Sequence, residues 1–168
     1  MTIRQATPAD AEGIADLQVR AWRVAYRGQV PDRHLDDLVA ESLLPNLRWS
    51  LEHPPDHWRL WIADEDAAIV GFASTGPSYD TDATPATGEL TAIYVDPDRP
   101  RQGIGSALLA HALEDLAGRS KRVTLWVLES NAAGRAFFEA HGFDADGERT
   151  WDLIGEVLVP AVRYRRSL

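Results

Sequence analysis

The sequence predicts an α/β fold: a mixed central sheet with flanking helices, in which antiparallel strands precede a single parallel crossover. Three observations predict it. Two apolar segments, WRLWIAD and AIVGFAST, are separated only by the turn around Glu65-Asp66-Ala67 and read as a tight hairpin. From Glu89 onward, strand and helix patterns alternate to the end of the chain, which is the mark of a parallel unit with its crossover helix. Between them, the stretch from Asp96 to Leu113 passes from a Pro- and Arg-rich turn through Gly103-Ile104-Gly105 into an apolar helix, the kind of connection at which open sheets bind ligands.

Taken in order, TIRQA alternates like a short strand. Thr7, Pro8 and Asp10 follow as cap, first helical position and capping-box acid, opening a helix with the apolar stripe Ile14, Leu17, Trp22 and Ala25. The next stretch, PDRHLDDLVAESLLPNLRWSLEH, is helical and expected to break near Pro45. After the hairpin, Ser74 to Gly88 is rich in turn formers and reads as a long functional loop or lid. GELTAIYV is a fourth strand, stopped by Asp96-Pro97. Gly103 to Gly118 is a helix burying Ile104, Leu108, Ala112, Leu113 and Leu116. RVTLWVL is a buried strand, NAAGRAFFEAHG a short helix ended by Gly142, and VLVPAVRYRRSL the last strand, with Arg163 to Arg166 read as its solvated edge. Trp22 and Tyr26 share a face of the first helix and are read as core, with cleft lining as the alternative.

At 168 residues, without linker or repeat, the chain reads as one domain over 1–168. A net charge of −9 argues against a nucleic-acid partner and favours cationic or neutral substrates. Without cysteine there is no disulfide framework and no thiol nucleophile, and the five histidines lack metal-ligand spacing, so no metal is expected. The amino-terminal segment lacks the apolar centre of a secretion signal and no run is long enough to span a bilayer. No membrane contact is expected, and the cytoplasm is the expected location.

Two glycines at a helix mouth suit an anion, because the first turn leaves N–H groups without partners and glycine lets a ligand approach them. The same glycines would serve a merely tight turn. A dinucleotide-binding turn would need a third glycine at position 108, which is Leu.

Two linked segments break the tie. ELTAIYVDPDRPRQGIGSALL resembles the acyl-CoA strand, turn and helix of the GCN5-related N-acetyltransferase (GNAT) family, and LWVLESNAAGRAFFEAHGF resembles its following strand and Asn-led helix. The resemblance implies the family's mixed sheet with splayed fourth and fifth strands, and acetyl-CoA as cosubstrate. The backbones of Ile93 and Val95 would then pair with the pantetheine arm, with Tyr94 between them and Phe138 beside it. The N–H groups of Gln102, Gly103, Ile104, Gly105 and Ser106 would cradle the pyrophosphate, with Arg101 and Arg99 offsetting its charge. Asn131 matches the asparagine that bonds the arm, and would serve equally as a helix N-cap. Two departures stand out. Pro100 occupies the first position of the turn motif, and Phe138 stands where many relatives carry a tyrosine that protonates the leaving thiolate.

Acetyl transfer to an amine needs a base, a polarised carbonyl and a proton for sulfur. The resemblance places Glu89 as the base acting through water, with a surface charge at a strand end as the alternative. The expected activity is N-acetylation of a primary amine, on a small molecule, by direct transfer in a ternary complex. Acetylation of protein or peptide N-termini, and acyl-CoA sensing without turnover, are the competing readings. A homodimer is left open.

Overall fold

The computed structural model covers residues 1–168 and builds a seven-stranded sheet. Its elements run β1 (Thr2–Gln5), a 3₁₀ turn (Pro8–Asp10), α1 (Ala11–Ala25), α2 (Asp32–Asp37), α3 (Ala40–Glu52), β2 (Arg59–Glu65), β3 (Ala68–Pro77) and β4 (Thr87–Val95). They continue with α4 (Ile104–Ala117), β5 (Arg122–Leu128), α5 (Ala132–Ala140), β6 (Asp144–Ile154) and β7 (Val157–Ser167). The strand order is β1-β2-β3-β4-β5-β7-β6, and β4–β5 is the parallel pair.

The opening follows from a carboxylate. Asp10 accepts from the Thr7 N–H at 2.7 Å and from Arg4 at 2.7 Å, so the chain turns through a 3₁₀ turn before α1 begins. Helix α1 buries Ile14 and Leu17 against Leu60, Ile62 and Phe72 on one side of the sheet. Helix α4 buries Leu108, Leu109, Ala112 and Leu116 against Val70, Leu90, Val123 and Leu125 on the other. The central strands are therefore covered on both faces, and the sheet holds its shape where the site forms.

One irregularity in β4 decides that shape. Ser74 faces Ala92 and Thr75 faces Leu90, so Thr91 is an extra residue, a β-bulge. Its hydroxyl is tied to Ser74 Oγ at 2.9 Å. Because the bulge shifts the period, Leu90, Ile93 and Val95 all join the α4-side core while Ala92 and Tyr94 face α1. Beyond it β4 and β5 part company: they pair only at Thr87–Glu89 with Arg122–Thr124.

Four expectations are corrected. The helical stretch breaks at Leu38–Val39, whose backbones are extended, and Pro45 sits inside α3, where only the bond to the Glu41 carbonyl is lost. Strand β6 was not expected. Its pattern is interrupted by an irregularity between Ala145 and Arg149 and its side chains are largely exposed, which erases the alternation. Arg163 to Arg166 do not form a solvated edge, because β7 lies between β5 and β6 and buries Arg163 and Tyr164. The Ser74–Gly88 loop is shorter than its composition suggests, since β3 runs to Pro77 and β4 starts at Thr87. The residues between are tied down by Asp80 and Asp82, both bonded to Arg163.

Candidate active site

The parting of β4 and β5 opens a cavity of about 700 Å³, with 18 hydrophobic residues among the 24 that line it. Its walls are the outer parts of β4 and β5, the last turn of α1 at Trp22 and Tyr26, the start of α5 and the β6 residues Asp152 to Ile154. A second cavity of about 570 Å³ lies around the turn from Asp96 to Ser106. The two share Val95, Pro97, Gly105 and Phe137, so they join into one groove running from the turn into the sheet.

The turn has the chemistry of an anion cradle. Gly103 is left-handed at φ +80° with nothing within 4 Å of where a Cβ would stand, and Arg101 is left-handed too. The first bond into α4 runs from Ala107 N–H to Gly103 C=O, which leaves the N–H groups of Ile104, Gly105 and Ser106 unpaired at the positive end of a 14-residue helix. The N–H groups of Gln102 and Gly103 have no protein partner either. Arg99 is committed to Glu65, whereas Arg101 is exposed and makes no ion pair, so Arg101 is the free cation of the turn. The Ser106 hydroxyl meets His141 Nε2 at 3.0 Å, a link from the turn to the end of α5 that the sequence alone did not indicate.

Strand β4 supplies a free backbone edge. Asp96 N–H donates to Val70 C=O at 2.9 Å, which makes that pair hydrogen-bonded. In an antiparallel ladder bonded pairs alternate, so Tyr94 and Ala92 bond to β3 while the N–H and C=O groups of Ile93 and Val95 point into the cleft. Nothing on β5 covers them there. Across the cleft, Asn131 caps α5, its Oδ1 accepting from Gly134 N–H at 3.0 Å, and its amide lines the cavity. A Cβ on Gly134 would stand 2.7 Å from Asn131 Nδ2, which explains the glycine. Phe138 is buried between Phe137 and Phe143 and also lines the cavity, with ring centroids 5.3 and 5.7 Å away.

Glu89 does not line the cavity itself. It sits one residue before Leu90, opposite Thr124 at the last step that β4 and β5 share. Burial, and then the charge of Asp80, push its carboxyl up to about 7, against smaller lowering effects of the Ser78 hydroxyl and Arg163. A carboxyl poised there is half-ionised near neutral pH, which suits a proton acceptor.

Around it stands a charged cluster that the sequence reading missed. Arg163, 5% exposed, donates to Asp80 at 3.0 Å, to Asp82 at 2.6 Å and to Asp146 at 2.8 Å, and lies 5.8 Å from the Trp126 ring centre. Asp80 also accepts from Trp126 Nε1 at 3.1 Å. Carboxylates outnumber the guanidinium, so the cluster carries net negative charge behind Trp126, the one of its residues that lines the cavity.

Trp22 and Tyr26 are half-buried, packing against the small core of Val30, Leu35, Leu128, Val159 and Ala161 and also lining the cavity, so the core reading and its alternative both hold. Their rings meet edge to face at 5.2 Å, and the Tyr26 hydroxyl lies 3.3 Å from that of Tyr94. Burial raises both phenols above their ordinary range, most strongly Tyr94, so both stay protonated at neutral pH. Asp152 and Leu153 come from the unexpected strand β6. The sequence did carry a signal for it: Gly155-Glu156 between Ile154 and Val157 is a two-residue turn with Gly155 at φ +63°.

Known proteins resemble this chain in sequence and in fold. The Acetyltransferase (GNAT) family model matches residues 13–143. A probable N-acetyltransferase of Mycobacterium tuberculosis, Rv2775, is 32% identical over 97% of this chain and 91% of its own length. The [ribosomal protein bS18]-alanine N-acetyltransferase of Escherichia coli is 50% identical over a shorter stretch, 33% of this chain and 38% of the relative. Among solved structures, the PaiA N-acetyltransferase of Thermoplasma acidophilum, crystallised with coenzyme A, has the same fold, with a TM-score of 0.75, 20% identity and coverage of 99% and 98% of the two chains.

Proposed function

Since the chain belongs to the GNAT acetyltransferase family, we propose that it carries an acetyl group from acetyl-CoA to the primary amine of a small molecule with an apolar body, by direct transfer in a ternary complex. The observation that carries this reading is the joined groove. One end is a cradle of unpaired N–H groups, the middle is a free strand edge, and the far end is an apolar cavity with Glu89 at its root. As family members are acetyltransferases, acyl-CoA sensing without turnover is set aside.

The residues present fit the cosubstrate. The N–H groups from Gln102 to Ser106, with Arg101, would hold the pyrophosphate, and Ile93, Val95 and Asn131 would hold the pantetheine arm as an added strand. Acetyl-CoA, when bound, supplies the thioester. Glu89 takes a proton from the ammonium group of the acceptor through intervening water, leaving a neutral amine able to attack the carbonyl carbon. As the carbon–nitrogen bond forms the carbon–sulfur bond breaks, the surplus proton on the attacking nitrogen passes to water or to the departing thiolate, and a backbone N–H of the splayed part of β4 would polarise the carbonyl. Phe138 has no proton to give, and the raised Tyr94 phenol is tied to Tyr26, so no side chain is assigned as acid. A thiolate leaves without one.

A small molecule is favoured because the acceptor end is a half-open apolar recess lined by Trp22, Tyr26 and Leu153, with the Asp152 carboxylate among its walls. The bS18 relative acts on a protein alanine, and that alternative makes a different prediction. Release of CoA thiol should be amine-dependent with aryl- or alkylamines and weak with alanine-led peptides. The reverse preference would overturn the small-molecule assignment, and no release with either would overturn turnover itself.

A further inference from the structure

Nearly every basic side chain of this acidic protein is spoken for, either in an ion pair or as a donor to a carbonyl or hydroxyl. The exceptions among the 17 are Arg101, Lys121, Arg122 and Arg165. Arg101 belongs to the phosphate turn. The other three all line one surface cavity of about 720 Å³, together with Arg166.

This cavity is separate from the acetyl-CoA groove. Lys121 follows the C-terminal end of α4, whereas the turn sits at its N-terminal end, and a helix of 14 residues spans about 20 Å. Arg166 is held ready by its bond to the His141 carbonyl at 2.8 Å. The remaining lining is Gly142, Asp144 and Ser167. Asp144 is the cross-strand neighbour of Arg165 but makes no ion pair with it, so four cations face one carboxylate.

Leaving such cations unpaired and convergent on a chain of net charge −9 creates a local positive field against the overall one. No hydrophobic residue lines the cavity, so it offers nothing to a nucleobase or a lipid tail. We infer that this cavity is a second anion site, taking a compact oxyanion with several negative charges, of the di- or triphosphate class, through Lys121, Arg122, Arg165 and Arg166.

Calorimetric titration of the full chain with inorganic triphosphate at low salt, with saturating coenzyme A present to fill the turn from Gln102 to Ser106, tests this. The double variant Arg122→Gln/Arg165→Gln should bind at least about tenfold more weakly, the loss expected for removing charge-assisted contacts. Arg101→Gln should retain binding at this site, and Lys121→Gln, a change confined to an exposed turn, should weaken it in the same direction even if the double variant proves unstable. The inference is overturned if no saturable binding occurs, or if binding is lost in Arg101→Gln and kept in both the double variant and Lys121→Gln.

Discussion

The guanidinium of Arg163 donates to the Asp80 carboxylate at 3.0 Å, and through that bond a buried residue of β7 fixes the charge that bears most on Glu89. Asp80 raises the Glu89 carboxyl and Arg163 lowers it, so removing Asp80's charge should let Glu89 ionise more easily. Asp80→Asn keeps an oxygen for Trp126 Nε1 and should shift the rising limb of the kcat/KM profile below pH 7. A profile unmoved or shifted upward would show that the limb does not belong to Glu89.

Gly105 stands where the two cavities meet. A Cβ there would touch Val95 Cγ2 at 3.4 Å and Phe137 at 3.5 Å, ordinary contact distances. Gly105→Ala should therefore fold and bind acetyl-CoA, while the branches of Gly105→Val fill the passage and should abolish binding. At a ligand concentration about a hundredfold above Kd, acetyl-CoA should stabilise the wild-type chain by roughly 2.7 kcal/mol, read as a rise in Tm. A Gly105→Val protein that is folded and still shows the full rise would put the ligand elsewhere.

Phe138→Tyr adds a hydroxyl to a side chain that is buried among Phe137 and Phe143 and borders the cavity. With the acid role vacant, acetyl-CoA affinity should hold and turnover should fall by no more than a few-fold. A large loss of turnover would mean that the position is fixed by packing against the arm.

Tyr26→Ala, on the last turn of α1, should raise the KM for the amine by roughly tenfold, the scale of losing one large apolar contact, and spare acetyl-CoA binding. If acetyl-CoA affinity falls in step, the aromatic pair supports the groove as a whole and does not select the acceptor.

How far the sequence carried these conclusions differs across the site. The turn was the most legible part because its residues are contiguous: Gly103 and Gly105 at the head of an apolar helix give the backbone geometry, and the linked Asn131 segment weighs the turn towards an anion. The edge of β4 was legible only through the family resemblance, since the bulge at Thr91 that decides which residues face the cleft leaves no mark in the residue pattern. The acceptor end was hidden because it is assembled from distant strands. Asp80, Trp126, Asp146 and Arg163 meet only when β5, β6 and β7 lie side by side, and β6 shows almost no alternation to announce itself. The arginines of β7 looked like a solvated edge because a strand's place in the sheet order is not written in its own residues.

Ionisation of Glu89 also bears on stability. Its folded pKa lies above the ordinary glutamate value, so its contribution is full below about 4.5 and is lost as pH rises through about 7. Glu89→Gln should flatten that decline in Tm across the same window, and an equally steep decline in the variant would assign it to another group.

The most direct measurement is kcat/KM against pH for the wild type and Glu89→Gln with the best amine found. If Glu89 is the base, the variant should lose roughly 10²-fold or more at neutral pH, keep its affinity for acetyl-CoA, and regain activity as pH approaches the pKa of the amine. Wild-type rates for Glu89→Gln across that whole range would contradict the assignment and leave Glu89 as a buried strand-end charge with no part in the transfer.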